Sequence, residues 1–313
     1  MKKILAALSA LLIILSSFSA CSEEKEKTGK LSVIATIFPE YDYVRQILGE
    51  REDVADLTLL LDNGVDLHSF KPSAADIVKI SECDLFIYVG GESDEWAEDV
   101  LKTAKNKNMK VLNLTEILGS GAKIEETVEG MEKEEEGEEE IDEHVWLSLK
   151  NSKLFVEKIR DAIITLDESG REIYTKNAAD FINKLEKLDG EYENAVKNAN
   201  KKTLLFADRF PFRYLADDYG LSYYAAFSGC SAESEASFET VAFLSKKVDE
   251  LSLSYVLTTE SSDGKIAETV ISSSASKNAE ILKMNSMQST FQDSASYLSI
   301  MKENLEILKK ALM

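Results

Sequence analysis

The feature that most constrains this sequence is a regular alternation of short apolar runs with segments of helical periodicity. The apolar runs are rich in β-branched residues, which is typical of buried parallel strands. Two series of such runs predict strands at 31–38, 54–61, 84–89 and 110–114, and then at 203–207, 223–227, 255–259 and 280–284. The sequence therefore predicts an α/β fold of two similar lobes, each a parallel sheet flanked by helices.

A long helical pattern separates the two series. Apolar residues recur at steps of three and four from Phe181 to Val196, within a helix predicted over about 171–199. At about 1.5 Å per residue this helix spans roughly 40 Å, about the diameter of a domain. We therefore expect a long rigid connecting helix, with an N-terminal lobe over 31–150, connector helices over 151–200 and a C-terminal lobe over 201–313.

The first 30 residues predict export and anchoring rather than a part of the fold. Two lysines precede a continuous apolar stretch over 4–15, which is the layout of a secretory signal peptide over 1–20. The tetrad FSAC, which ends at Cys21, resembles a bacterial lipobox. It implies a lipidated Cys21, a flexible tether over 21–30 and a location on the extracytoplasmic face of the cell membrane. Plain secretion with an unmodified Cys21 is the alternative.

The charge of the chain limits its partners. It carries 57 acidic and 36 basic residues, a formal net charge of −21. Because that charge repels polyanions, the sequence argues against binding to nucleic acid. Besides Cys21 the chain has only Cys83 and Cys230, so the sequence predicts neither a CxxC motif nor a disulfide framework.

The only two histidines, His68 and His144, are the candidate metal ligands. His68 lies in a predicted loop after the second strand, at a sheet edge where open α/β sheets bind their ligands. His144 precedes the first connector helix, and carboxylates flank both histidines. Neutral imidazole is the commonest metal ligand in proteins. The sequence therefore predicts one divalent cation bound by both rings.

The two histidine motifs resemble those of a known family. DLHSFKPS over 66–73 and EHVWL over 143–147 are similar to the motifs of the zinc and manganese receptors of ABC transporters, the cluster A-I solute-binding proteins. The likeness covers nearly the whole mature chain, including YLADDYGL over 214–221. It implies two lobes bridged by a rigid helix, one metal in the cleft between them and delivery of that metal to a membrane permease. We expect a monomer.

The resemblance also implies two ligands from the second lobe. The family's third ligand lies five residues before the tyrosine of a motif like the one at Tyr214, which gives Arg209, a residue that cannot bind a cation. A slip of one position gives Asp208, our first choice, with Glu235 and Cys230 as alternatives.

The implied fourth ligand is a carboxylate after the strand at 255–259. Glu260 is our first choice, and Asp263 is the alternative. Two imidazoles and two carboxylates suit tetrahedral zinc, whereas manganese prefers sites richer in oxygen. Zinc is therefore favoured and manganese is the alternative.

Two other functions compete with a metal receptor: a metal-dependent hydrolase and a surface adhesin. The sequence has no HExxH, GxSxG or P-loop motif, which favours a binding protein over an enzyme. Nine of the twelve residues over 132–143 are acidic. This run resembles the mobile acid- and His-rich loop of zinc-binding family members, but without the histidines of that loop. One hypothesis is that it gathers cations for the cleft, and the alternative is a solvated insert.

Overall fold

The first series of strands forms one parallel sheet. The structure is a computed structural model that describes residues 29–62, 64–132, 140–231, 235–290 and 295–313. The sheet has the order β2-β1-β3-β4. Its strands are β1 (Leu31–Ala35), β2 (Ala55–Leu59), β3 (Leu85–Tyr88) and β4 (Lys110–Asn113). The helices of this lobe are α1 (Phe38–Leu48), α2 (Ala74–Glu82), α3 (Trp96–Thr103) and α4 (Leu114–Leu118).

The second series repeats this arrangement. Its parallel sheet has the order β6-β5-β7-β8, which matches that of the first sheet. The strands are β5 (Thr203–Arg209), β6 (Ser222–Phe227), β7 (Tyr255–Thr259) and β8 (Glu280–Met284). The helices are α7 (Arg213–Tyr219), α8 (Phe238–Glu250), α9 (Lys265–Ser273) and α10 (Tyr297–Ala311). The predicted fold of two similar parallel-sheet lobes is confirmed.

Two connector helices join the lobes, α5 (Leu149–Leu166) and α6 (Arg171–Lys197). The 27-residue α6 contacts both lobes. In its first half, the Asn177 amide donates to the carbonyl of Ile47 in α1 at 3.1 Å. In its second half, the Tyr192 hydroxyl donates to the carbonyl of Met301 in α10 at 2.6 Å. The predicted connecting helix therefore spans from one lobe to the other, while the exact lobe boundaries stay predictions.

The first strand ends earlier than predicted. The prediction extended it to Phe38, but the helix α1 begins there with Pro39 in its first turn. Proline fits the first turn of a helix because it lacks an N–H that would need a partner. The chain turns at Thr36, whose N–H and hydroxyl both donate to the buried Glu40 carboxylate, at 2.8 and 3.0 Å.

The predicted signal peptide and Cys21 lie outside the described residues. Within the described part, none of the helices combines the length and apolarity needed to cross a bilayer. The residues from Leu31 to Met313 cluster as one unit that contains both sheets. Its largest side-chain cluster is apolar and draws on both lobes and both connector helices.

Candidate metal centre

The two predicted histidines lie in irregular segments between the regular elements of the first lobe. His68 is in a short 3-10 turn, Leu67–Ser69, after β2, and His144 directly precedes the turn Val145–Leu147 and α5. The two rings converge, with centroids 5.3 Å apart. The two rings therefore lie side by side, as the sequence analysis expects, while their role as metal ligands stays a prediction.

The same local geometry fixes both rings. Each histidine follows an aspartate by two positions, and the Oδ1 atom of that aspartate accepts both the backbone N–H and the ring Nδ1–H of its histidine. For Asp66 and His68 the distances are 3.1 and 2.9 Å, and for Asp142 and His144 they are 2.9 and 3.0 Å. A carboxylate on Nδ1 orients a ring so that Nε2 can bind a metal, which is how metal-binding histidines are usually held.

Two buried atoms beside His68 make no hydrogen bond to any residue that the structure describes: His68 Nε2 and Glu143 Oε2. They lie 3.6 Å apart, and the two side chains are 9% and 1% exposed. The other oxygen of Glu143 accepts from the Ser93 N–H at 2.7 Å. Buried polar atoms without partners are costly, and a cation between these two atoms would satisfy both.

Gly91 makes room for the Glu143 carboxylate. Its φ is +87°, and a Cβ at this position would lie 2.5 Å from Glu143 Oε1. Burial raises the pKa of Glu143, although the hydrogen bond from Ser93 and the charge of His68 act in the opposite direction. A cation beside this carboxylate would favour its ionised form.

In this structure, His144 Nε2 is in contact with a side chain of the second lobe. It lies 2.9 Å from Gln288 Oε1, while the Gln288 amide nitrogen donates to Asp66 Oδ2 at 2.7 Å. Both nitrogens of the buried ring thus face oxygen acceptors, an arrangement that suits the imidazolium form. Burial alone would lower the pKa of His144, but the hydrogen bond to Asp142 and the charges of Asp142 and Glu143 outweigh it and raise the pKa.

A third potential ligand lies beside the two rings. Among the described residues, the one group of three or more His, Cys, Asp and Glu ligand atoms within 4.8 Å of one another is His68, His144 and Cys230. Cys230 follows β6 and is a partly buried free thiol. Burial, followed by the charges of Glu125, Asp142 and Glu143, raises the pKa of this thiol well above its usual value. The thiol is therefore protonated unless a cation displaces the proton.

The predicted carboxylate ligands are not in this group, and they bind neighbours within their own lobe. Asp208 Oδ2 accepts from the N–H and hydroxyl of Thr259 at 2.8 and 2.7 Å, and its Oδ1 accepts from the Arg209 N–H at 2.8 Å. Both oxygens of Glu260 accept from Ser286, at 2.8 and 2.9 Å. The alternatives Glu235 and Asp263 are exposed, and Asp263 pairs with Lys265. A role for these four carboxylates as ligands stays a prediction.

Arg209, which the family spacing had placed at the third ligand position, contacts the site indirectly. Its Nη2 donates to Asp66 Oδ2 at 3.0 Å, so one oxygen of Asp66 is shared by Arg209 and Gln288. Burial would raise the pKa of Asp66, but the His68 hydrogen bond and the Arg209 charge outweigh it and hold the pKa well below its usual range. Asp66 therefore stays ionised and links His68 to the second lobe.

Comparison with known proteins decides the family. Residues 33–311 match the family described as ZnuA, "Zinc-uptake complex component A periplasmic". The chain belongs to the ZnuA family. Membership confirms the resemblance of the two histidine motifs to metal receptors of ABC transporters.

Two relatives from the ZnuA family match along nearly the whole chain. The "Zinc-binding lipoprotein AdcA" of Streptococcus pneumoniae is 33% identical over 318 residues, which cover 99% of this chain and 61% of the relative. The "High-affinity zinc uptake system protein ZnuA" of Bacillus subtilis is 29% identical over 319 residues, with 99% and 96% covered. This chain therefore spans about 61% of the length of the streptococcal relative.

A solved structure gives the same result. The Zn(II)-bound ZnuA-like domain of Streptococcus pneumoniae AdcA is 30% identical and aligns with a TM-score of 0.71, covering 91% of this chain and 99% of that domain. At this identity the likeness extends to the two-lobe arrangement described above.

Proposed function

We propose that this protein captures a zinc ion outside the cytoplasm and delivers it to the permease of an ABC transporter. The observation that carries the proposal is the convergence of His68 and His144 with a buried, unpartnered Nε2 on His68. The names of the relatives, zinc-binding lipoprotein and zinc uptake system protein, support the same cargo. Manganese is the alternative cargo, but nitrogen donors favour zinc.

A receptor is proposed rather than a metal-dependent hydrolase or a surface adhesin. A catalytic zinc keeps one position open for water, whereas a carried ion can be held by protein ligands alone. Relatives that match nearly the whole chain are named for zinc binding and zinc uptake. The ion bridges the two lobes, because His68 and His144 belong to the first lobe and the residues facing them belong to the second.

Anchoring to the membrane is also part of the proposal. The relative from Streptococcus pneumoniae is named a lipoprotein, which supports lipidation at Cys21. A lipid anchor would keep the receptor at the extracytoplasmic face of the membrane, close to its permease. Metabolic labelling with a fatty acid should mark the wild type and not Cys21→Ser.

For the acidic run over 132–143, cation gathering and a solvated insert both remain hypotheses, because residues 133–139 lie outside the described residues. The end of the run is paired with the segment before it, since Ile124 pairs antiparallel with Ile141 and the Glu125 N–H donates to the Glu140 carbonyl at 2.8 Å. The start of the run is held at the second lobe, where the Glu132 N–H donates to the Ala226 carbonyl at 2.9 Å. Deleting residues 133–139 and titrating zinc distinguishes the hypotheses, because an unchanged titration rules out cation gathering.

The test of the proposed function is a zinc titration of the purified protein by calorimetry. We expect His68→Ala and His144→Ala each to weaken zinc binding well over tenfold, which is more than about 1.4 kcal/mol. Glu157→Ala is the matched control, because it removes an exposed side chain from α5. If the double histidine variant kept wild-type affinity while remaining folded, the proposed function would be wrong.

A further inference from the structure

The second lobe brings one soft donor to the two imidazoles. The Cys230 thiol forms, with His68 and His144, the group whose ligand atoms all lie within 4.8 Å of one another. One of these two rings, that of His68, has a buried Nε2 without a hydrogen-bond partner among the described residues. The thiol therefore belongs to the same small group as a ring with an unpartnered nitrogen.

The loop that carries Cys230 is held in place from both sides. The Cys230 N–H donates to Glu125 Oε1 at 2.7 Å, and Arg209 Nη1 donates to the Ser231 carbonyl at 3.3 Å. Gly229 lets this loop approach the site, because a Cβ there would lie 3.0 Å from His144 Nδ1. Backbone contacts rather than chance thus fix the position of the sulfur beside the rings.

The carboxylates of the second lobe are committed elsewhere. Asp208 and Glu260 accept hydrogen bonds on both oxygens from residues of their own lobe. Moving either carboxylate to a metal would leave buried donors without partners, at a cost of about 1–3 kcal/mol for each donor. Cys230 needs no such rearrangement, because its thiol already lies with the rings.

We propose that Cys230 is the third protein ligand, and that its thiolate selects thiophilic cations such as zinc and cadmium over manganese. The inference rests on the proposed function and names the cargo class of the same site. On binding, a metal–sulfur bond forms and the S–H bond breaks, with the proton released to solvent. Thiolate ligands suit zinc, whereas manganese prefers carboxylate and carbonyl oxygens. The buried Glu143 Oε2 lies 3.6 Å from His68 Nε2, so its carboxylate would favour a cation bound by that nitrogen.

Cobalt(II) is the probe for the sulfur bond, since it replaces zinc and gives a near-ultraviolet charge-transfer band when a thiolate binds it. We expect this band in the wild-type protein and in Cys83→Ala, the matched control that removes the other free cysteine described. Cys230→Ser should lose the band while still binding cobalt through its histidines. A band that persists in Cys230→Ser overturns the inference.

Competition between zinc and manganese tests selectivity. We expect Cys230→Ser to lose at least about tenfold in zinc affinity, with a manganese affinity changed by less than about threefold. Equal losses of affinity for both metals, or an unchanged zinc affinity, contradict the thiolate ligand. Either result leaves the proposed receptor function intact. If the wild-type protein binds none of zinc, manganese and cobalt, both the proposed receptor function and the thiolate ligand are overturned.

Discussion

The two sides of the cleft are built from the same kind of sheet but use their polar residues differently. On the first-lobe side, Asp66 and Asp142 each hold a histidine ring by Nδ1 and leave Nε2 directed into the cleft. On the second-lobe side, Asp208 and Glu260 hold the backbone of their own loops. The first lobe thus orients two imidazole rings, whereas the second lobe uses its two carboxylates to hold its own loops.

This difference assigns separate roles to the lobes. The first lobe supplies a fixed pair of nitrogens that any borderline metal could use. The second lobe brings Cys230 to the same two rings, and its Gln288 contacts both His144 and Asp66.

The largest effect on this comparison is expected from Asp142→Ala. It leaves the ring and backbone donors of His144 without their acceptor, so the ring loses its orientation. Loss of such a partner typically costs about 10–100-fold in metal affinity, and we expect that range for zinc. Zinc calorimetry measures the effect, and a thermal melt checks that the variant is folded. Unchanged affinity would contradict the view that Asp142 orients the ligand.

A smaller effect of opposite sign is expected from Gln288→Ala. Gln288 Oε1 lies within hydrogen-bond distance of His144 Nε2, at 2.9 Å. The Gln288 side chain must therefore move before that nitrogen can bind zinc. A net hydrogen bond is worth about 0.5–1.5 kcal/mol, so removing it should tighten zinc binding by up to about tenfold. Stopped-flow and equilibrium titrations report the change. Weaker zinc binding by the variant would contradict this view and would mean that Gln288 stabilises the zinc-bound form.

The smallest effect on zinc binding is expected from Asp208→Ala. Its carboxylate serves Thr259 and Arg209, so we expect the free energy of unfolding to fall by about 1–3 kcal/mol. Zinc affinity should change by less than about threefold, or about 0.7 kcal/mol. Chemical denaturation and calorimetry on the same samples separate the two effects. A loss of affinity as large as that of Asp142→Ala would restore Asp208 as a ligand.

The sequence predicted the architecture because its signals are local. The predicted strands at 255–259 and 280–284 coincide with β7 and β8, since short apolar runs between helical segments leave few alternatives. The histidine pair could also be predicted from the sequence, because the chain has only two histidines and each lies beside carboxylates. The end of β1 was missed because the apolar run continues to Phe38, whereas a helix with Pro39 in its first turn begins there.

The rest of the site depends on contacts that are distant in sequence. Gln288 meets a ring 144 positions away, and no local pattern marks that pairing. Asp208 was placed by counting along the chain, but the register shift in β5 before Arg209 and the donors of Thr259 decide where its carboxylate goes. Glu143 was hidden in a run of acidic residues, where its burial could not be predicted.

The most direct test of the central claim is an anomalous diffraction map of zinc-loaded crystals, collected across the zinc absorption edge. The account predicts one peak in the cleft, about 2.0–2.1 Å from both His68 Nε2 and His144 Nε2. A peak that touches only one ring, or one that lies away from both, would contradict it.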